Sequence, residues 1–291
     1  IGKATLYVAP NSQTIRYGES IREGASAILT RGLATGDHVV GVTLTPNARD
    51  VPGGKIIASE VQIQNESGAD VTGNYEITYV PGNLTINKAP APAIIWPTAN
   101  DLTYGQKLSE STLSGGSTEY GSFAWKNPDT VPTAGTSGYS VTFTPSNSTE
   151  QNYEPIAIKT QDVNVTVAQA APTVTVEVKM SDSAKGRVAD LTVTVTGAQN
   201  GAAPTGSITL TSDGLNETLT LQNGKAAYKW ENLSDKEYTV TAAYSGDTNY
   251  KEANGQLTFD AAKKNQESFA ISPVEAKTYG DPAFELATTG G

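Results

Sequence analysis

Residues Val174-Thr175-Val176-Glu177-Val178-Lys179-Met180 alternate apolar and polar side chains without a break. Successive side chains of a β-strand point to opposite faces, so this run reads as a strand with one face in a core and the other in water. The pattern continues downstream. Leu191, Val193 and Val195 alternate with polar residues, mostly threonines, followed by Ile208 and Leu210, Leu219 and Leu221, Tyr228 and Trp230, Tyr238 and Val240, and Leu257 and Phe259. Ser212-Asp213-Gly214 and Gln222-Asn223-Gly224 punctuate these runs as turns, the second with the Asn-Gly pair favoured in tight hairpins. Seven short strands in about 90 residues predict an immunoglobulin-like sandwich. Asp235-Lys236-Glu237-Tyr238-Thr239-Val240 predicts a tyrosine corner, in which the hydroxyl returns to the backbone just upstream, and Gly138-Tyr139-Ser140-Val141 predicts its counterpart. Trp125 and Trp230 are expected in the core. No long stretch carries a 3.6-residue period, so helices are expected to be nearly absent.

Outward from this stretch, the chain repeats. A Tyr-Gly pair closes a short β-like run at Ile15-Arg16-Tyr17-Gly18, Leu102-Thr103-Tyr104-Gly105 and Lys277-Thr278-Tyr279-Gly280. Asn-Tyr recurs late in each repeat, at Asn74-Tyr75, Asn152-Tyr153 and Asn249-Tyr250, each time before a short closing strand. Val42-Thr43-Leu44-Thr45-Pro46 and Val141-Thr142-Phe143-Thr144-Pro145 read as a third shared marker. The joints fall after the closing strands: Lys88-Ala89-Pro90-Ala91-Pro92, Gln169-Ala170-Ala171-Pro172 and Ala261-Ala262-Lys263-Lys264. Short Ala/Pro joints make stiff spacers, because proline fixes φ and holds its neighbour extended. The expected modules are 1–88, 89–170 and 171–263, with 264–291 opening a fourth that is cut short.

Composition bounds the function. The 291 residues carry a net charge of -10 and a pI near 4.7, and the longest basic run is Lys263-Lys264. Nucleic acids and anionic membranes need clustered cations, so neither is an expected partner. With no cysteine, disulfides, thiol catalysis and Cys-ligated metal are excluded. No stretch approaches the roughly 20 apolar residues of a membrane helix. A first residue of Ile and the absence of a visible signal peptide suggest an excerpt of a longer chain.

Few residues offer chemistry. His38, the only histidine, lies in Gly36-Asp37-His38-Val39, which reads as a turn leading into a strand. There is no Gly-x-Ser-x-Gly elbow to partner it, and the acids are scattered as on solvated strand faces. The chain is therefore read as non-catalytic, with no catalytic, cofactor-binding or metal-binding residue assigned. Asp182 with Asp190, and Asp247 with Asn249, are the places where clustered oxygens would hold structural calcium, although Asp and Asn are also ordinary turn formers. Trp96, Tyr120 and Tyr153 stand outside the clear core pattern and are candidates for a sugar-stacking platform. Tyr17, Tyr104 and Tyr279 recur with the repeat, which suits a structural role. The Asn-x-Ser/Thr triplets, as at Asn65, Asn147 and Asn232, are those a Thr-rich chain contains by composition.

Two sets of motifs carry a resemblance. Pro204-Thr205-Gly206-Ser207-Ile208-Thr209-Leu210 and Tyr238-Thr239-Val240-Thr241-Ala242-Ala243-Tyr244-Ser245-Gly246-Asp247-Thr248-Asn249-Tyr250 resemble bacterial Ig-like repeats. Tyr279-Gly280-Asp281-Pro282 and Asn74-Tyr75-Glu76-Ile77-Thr78-Tyr79 resemble the related MBG-type repeats. The first module departs from that pattern, since Tyr17-Gly18 is followed by Glu19 rather than Asp-Pro. The resemblance implies tandem all-β modules of a large bacterial surface or secreted protein, whose partners are neighbouring repeats and, in adhesive segments, host or matrix glycans or proteins. The expected role is a stalk that displays other domains. The alternative is an adhesion or carbohydrate-binding module.

Overall fold

In the computed structural model, residues 2–183, 186–262, 270–273, 276–280, 282–283, 285 and 288–289 are described. The protein is nearly all-β, with several separate sheets. It forms two compact units: Ile1–Asn100, Ser111–Pro128 and Ser137–Val165 make one, and Asp101–Glu110, Asp129–Thr136 and Thr166–Gly291 the other. Half of 264–291, read from the sequence as the opening of a fourth module, lies outside the described residues.

The first unit begins with seven strands: β1 (Ala4–Pro10), β2 (Gln13–Arg16), β3 (Ile28–Arg31), β4 (His38–Pro46), β5 (Gly53–Gln64), β6 (Tyr75–Tyr79) and β7 (Gly82–Asn87). They form two sheets, ordered β3-β1-β6 and β2-β7-β5-β4. Two pairings are parallel, β1 with β6 and β2 with β7. Leu6, Val8, Ile56, Ala58, Ile63, Leu84 and Ile86 fill the core, and the whole buried cluster lies within residues 6–86. Along β5 the inward set changes from Ile56 and Ala58 to Val61 and Ile63. The register against β4 shifts there, and Glu60 takes φ +54. An extra residue in one strand flips the facing of the residues after it, and this bulge keeps both halves of a long strand turned to the core.

Six strands come next: β8 (Thr98–Ala99), β9 (Leu102–Thr103), β10 (Leu113–Ser114), β11 (Gly121–Trp125), β12 (Gly135–Pro145) and β13 (Thr160–Ala168). Their sheets, β10-β8 and β11-β12-β13-β9, repeat the order of β3-β1 and β4-β5-β7-β2, again with a parallel edge, β9 on the end of β13. The correspondence corrects one sequence reading. Val42–Pro46 lies on the sheet-edge strand β4, whereas Val141–Pro145 lies on the inner strand β12, whose counterpart is β5. The shared letters record a half-buried period-two strand and not an equivalent position. Two further expectations are revised. Trp125 is half-buried, donating its indole N–H to the Ser111 carbonyl at 2.9 Å, while Val141 and Phe143 on the facing strand are buried. Tyr139 makes no corner, because its hydroxyl has no hydrogen bond among the described residues.

The second unit holds the stretch from which the fold was read. Strands β14 (Thr173–Ser183), β15 (Gly186–Thr196), β16 (Ser207–Ser212), β17 (Leu215–Thr220), β18 (Lys225–Leu233), β19 (Glu237–Tyr244) and β20 (Ala253–Asp260) are the seven predicted. They pack as β14-β15-β18 and β17-β16-β19-β20, antiparallel throughout. Val174, Val176, Leu191, Val193, Val195, Ile208, Leu210, Trp230, Tyr238, Val240 and Phe259 are buried as the alternation requires. The Tyr238 hydroxyl accepts the Ser234 N–H at 3.0 Å, which is the tyrosine corner. Last, β21 (Ala270–Ile271) pairs antiparallel with β22 (Thr288–Thr289).

Candidate functional site

The two Tyr-Gly turns within the folded strands are built alike. In the first unit the Tyr17 N–H donates to the Asn87 carbonyl, and Glu19 N–H returns to Arg16. In the second, Tyr104 N–H donates to Ala168, and Gln106 N–H returns to Thr103. Gly18 (φ +87) and Gly105 (φ +99) occupy the left-handed region that side chains disfavour, which explains why glycine follows the tyrosine. Each turn is closed a second time from the side. Glu19 Oε2 accepts the Arg16 N–H, and Gln106 Oε1 accepts the Thr103 N–H, both at 2.8 Å. Because β2 and β9 run parallel to the closing strands β7 and β13, each turn stands where the chain leaves its sheet. We call that end the tail.

The Asn-Tyr pairs come late in the sequence but stand at the opposite end, the head, beside the residue that begins each segment. Tyr75 pairs with Ala4, Tyr153 with Ala89 and Tyr250 with Ala170, all in parallel sense. Ala89 N–H donates to the Asn152 carbonyl, and Glu154 N–H to Ala89. Ala170 N–H donates to Asn249, and Lys251 N–H to Ala170, the same two bonds again. The residue just before Ala89 and the one before Ala170 each tie down the turn that carries the Asn. Lys88 Nζ donates to the Glu150 carbonyl at 2.7 Å, and Gln169 Nε2 donates to Asp247 at 2.8 Å.

Head meets tail at two joints. In the first unit, α1 (Asn147–Asn152) is a short helix capped by the Ser146 hydroxyl, and it delivers Asn152, which is fully buried. Asn152 Oδ1 accepts the Val51 N–H at 2.9 Å, and its Nδ2 donates to Asp50 Oδ1 at 2.8 Å. Gln151 Nε2 donates to the Val51 carbonyl at 2.7 Å. The Tyr153 ring lies edge-on to Tyr17 at 5.3 Å and to Tyr120 at 5.6 Å. Burial raises the pKa of the Tyr153 hydroxyl, and the neighbouring Tyr120 and Tyr17 raise it further. In the second unit, Asn249 Oδ1 accepts the Ala134 N–H at 3.0 Å, and Tyr250 meets Tyr104 edge-on at 5.3 Å. Both hydroxyls are used there. Tyr104 accepts from Ala202 N–H, while Tyr250 accepts from Ala198 N–H and donates to the Ala202 carbonyl. Edge-on aromatic pairs contribute about 0.5–1.5 kcal/mol beyond the area they bury.

The site residues expected from the sequence are only partly brought together. Tyr17, Tyr120 and Tyr153 converge in one joint, and Tyr104 enters the other. Trp96 rests against Phe123 at 5.4 Å. Each of these aromatics packs against another ring of the protein. Asp182 and Asp190 are not brought together: Asp182 pairs with Arg187 at 3.2 Å, and Asp190 lies opposite Lys179. Both Asp247 carboxylate oxygens face N–H and O–H donors, taking Asn249 and Tyr250 N–H on Oδ1 and the Thr205 N–H and hydroxyl on Oδ2. Burial pushes the Asp247 pKa up, but these bonds outweigh it and hold the carboxyl below its ordinary value. Among the described residues no three His, Cys, Asp or Glu side chains converge as a metal site would require. His38 is exposed at the start of β4. Among the described residues no helix is long and apolar enough to cross a membrane.

Residues 128–262, which include β12 through β20, match the family model of the bacterial Ig-like domain (group 3). Comparison with curated proteins finds no match. Two solved structures are similar at low identity. The four N-terminal Ig domains of Dscam1 isoform 8.4 share 10% identity over 72% of this chain and 54% of that one, with a TM-score of 0.30. The Bacteroides ovatus mixed-linkage glucan utilization locus protein SGBP-B, solved with a mixed-linkage heptasaccharide, shares 12% identity over 96% and 65%, with a TM-score of 0.19. This chain spans about half the length of the first and under two thirds of the second. Neither is near enough to bear on what this chain binds.

Proposed function

We propose that residues 1–88, 89–170 and 171–263 are successive non-catalytic modules of a bacterial surface or secreted protein, and that they act as a stiff stalk displaying other domains. On this reading residues 264–291 open a further module, and residues 1–88 and 264–291 are repeats of the MBG type. Bacterial Ig-like domains commonly belong to surface or extracellular proteins, which supports the setting. The observation that carries the stalk is the joint. The same backbone bonds, an asparagine oxygen taking a loop N–H, and paired tyrosines recur at Ala89 and Ala170, although the sheets around them differ. A flexible tether has no need of a repeated side-chain lock, whereas a spacer that must hold direction does.

Small-angle scattering of the 291-residue chain tests the reading. A compact globule of this length has a radius of gyration near ~19 Å. A rod of three modules, each a strand length of about 20 Å plus its turns, gives about 30 Å or more. A value at the compact figure overturns the stalk. A Tyr17→Ala and Asn152→Ala double variant is expected to broaden the distance distribution relative to the parent, because it unlocks the first joint.

A further inference from the structure

Within each segment the chain enters at the head and leaves at the tail, so tension along the chain pulls along the strands. Ladder hydrogen bonds run across the strands. Such a pull loads a whole ladder at once, and resistance rises with the length of the ladder. The opening strands of the segments differ in this respect. In residues 1–88, Ala4–Val8 pair with Tyr75–Tyr79, Tyr7–Pro10 with Ile28–Arg31, and Gln13–Arg16 with Leu84–Asn87. In residues 171–263, the whole of β14 pairs with β15. The opening stretch of residues 89–170 is held by less. Ala89 makes a single bridge to Tyr153, Thr98–Ala99 pair with Leu113–Ser114, and Leu102–Thr103 with Val167–Ala168. Prolines account for the difference. Pairing Ala89 with Tyr153, as Ala4 pairs with Tyr75, sets Pro90 and Pro92 where Thr5 and Tyr7 stand, and Pro155 where Ile77 stands. Proline has no N–H to give and is confined to the edges and starts of strands.

We propose that residues 89–170 are the extensible element of the chain: under tension their opening strands shear off first, and this segment draws out while residues 1–88 and 171–263 stay folded. Yielding begins at Ala89, whose N–H leaves the Asn152 carbonyl and whose carbonyl leaves the Glu154 N–H. The short β8–β10 and β9–β13 ladders follow, and the Tyr104 N–H leaves the Ala168 carbonyl. The load then falls on β13, which the loss of β9 makes the edge of its sheet. A segment of this length drawn out fully adds about 250 Å. A stalk built this way lengthens when what it displays is held and pulled, and so limits the force that its other modules bear. The proposal deepens the stalk and rests on the reading of 1–88, 89–170 and 171–263 as separate modules.

The test stretches the 291-residue chain from its two ends in optical tweezers, where the unfolding rate of each module sets the force at which it yields. The chain has no cysteine, so an introduced pair gives one defined cross-link, verified by loss of free thiol. Thr103→Cys with Ala168→Cys ties β9 to β13 at a register pair whose side chains are both exposed. The parent chain is expected to give a first, lowest-force event of about 250 Å. In the oxidised variant residues 104–167 are shielded, so that event should shrink to at most about 50 Å, and a reductant should restore it. Thr14→Cys with Thr85→Cys makes the same tie in residues 1–88, and it should leave the first event intact while shortening a later one. A first event that keeps its length under the Thr103–Ala168 tie, or shortens under the Thr14–Thr85 tie, overturns the proposal. A single event that releases the whole chain means instead that the chain does not fold as three modules, and the proposal falls with that reading.

Discussion

The two joint asparagines differ in what rests on them. Asn152 is fully buried and serves Val51 and Asp50 at once, while Asn249 gives its oxygen to a single N–H. Truncation that leaves buried donors unpaired costs their desolvation as well as the bond. Asn152→Ala is expected to destabilise the first unit by about 2–3 kcal/mol, and Asn249→Ala the second by about 1 kcal/mol. Urea unfolding of the single variants checks the ranking, and equal effects would contradict it. Tyr244 runs the other way. It is buried, and its hydroxyl makes no hydrogen bond among the described residues, while burial first and then the nearby Asp247 charge push its pKa far up. An unpaired buried hydroxyl is a cost, so Tyr244→Phe is expected to be neutral or to stabilise by up to about 1 kcal/mol. A loss above about 1 kcal/mol on thermal unfolding would mean that the hydroxyl does have a partner. At this scale the sequence was legible where periodicity governs. Trp230, Tyr238 and the valines of β14 face inward because period two leaves them no other choice. Asn152 was invisible because its partners are 101 and 102 positions away and Asn before Tyr carries no local sign of burial.

At the scale of elements, the Tyr-Gly turn was readable as a repeat, but its second closure was not. Glu19 and Gln106 stand at the same spacing, yet they are different residue types, and only the shared acceptor oxygen unites them. The turns also differ in crowding. A Cβ on Gly105 would lie 2.4 Å from Ala198 Cβ, whereas nothing lies within 4 Å of one on Gly18. Both glycines have positive φ, so alanine strains either backbone by about 1 kcal/mol. Gly105→Ala must also displace Ala198 and is expected to cost roughly 2–3 kcal/mol in total. Thermal midpoints of the two variants decide whether crowding adds to strain. The Asp247 turn supplies a pH prediction. Its folded pKa lies below the unfolded value near ~3.9, so its stabilisation is complete above that value and fades as pH falls through the lower folded pKa. The second unit is therefore expected to weaken between about pH 5 and pH 3, and Asp247→Asn to flatten that dependence. Urea midpoints at both pH values would refute this if the variant kept the full slope. The Val-Thr-x-Thr-Pro marker misled because a strand motif encodes facing and not place in a sheet.

For the whole molecule, each joint lies inside one compact unit, and the division between units runs through residues 89–170. The two locks share no residue. Asn152→Ala and Asn249→Ala are accordingly expected to be additive within about 0.5 kcal/mol when combined. A larger departure, measured by a double-mutant cycle in urea, would show that the locks communicate. What spacing could not give is which marker touches which. Sequence order places Asn-Tyr at the end of each repeat, while the parallel pairing of Ala89 with Tyr153 carries it to the beginning.

That pairing has a consequence for how such a chain changes over generations. The head of residues 171–262 belongs to an antiparallel sandwich, and the head of residues 89–170 to sheets with a parallel edge, yet both receive the same tyrosine turn. Connection and interior are therefore separable traits. Recombination that duplicates or exchanges a segment bearing the tyrosine turn leaves a matching plug and socket at the new boundary, so a lineage can lengthen or re-equip the protein without inventing a new contact each time.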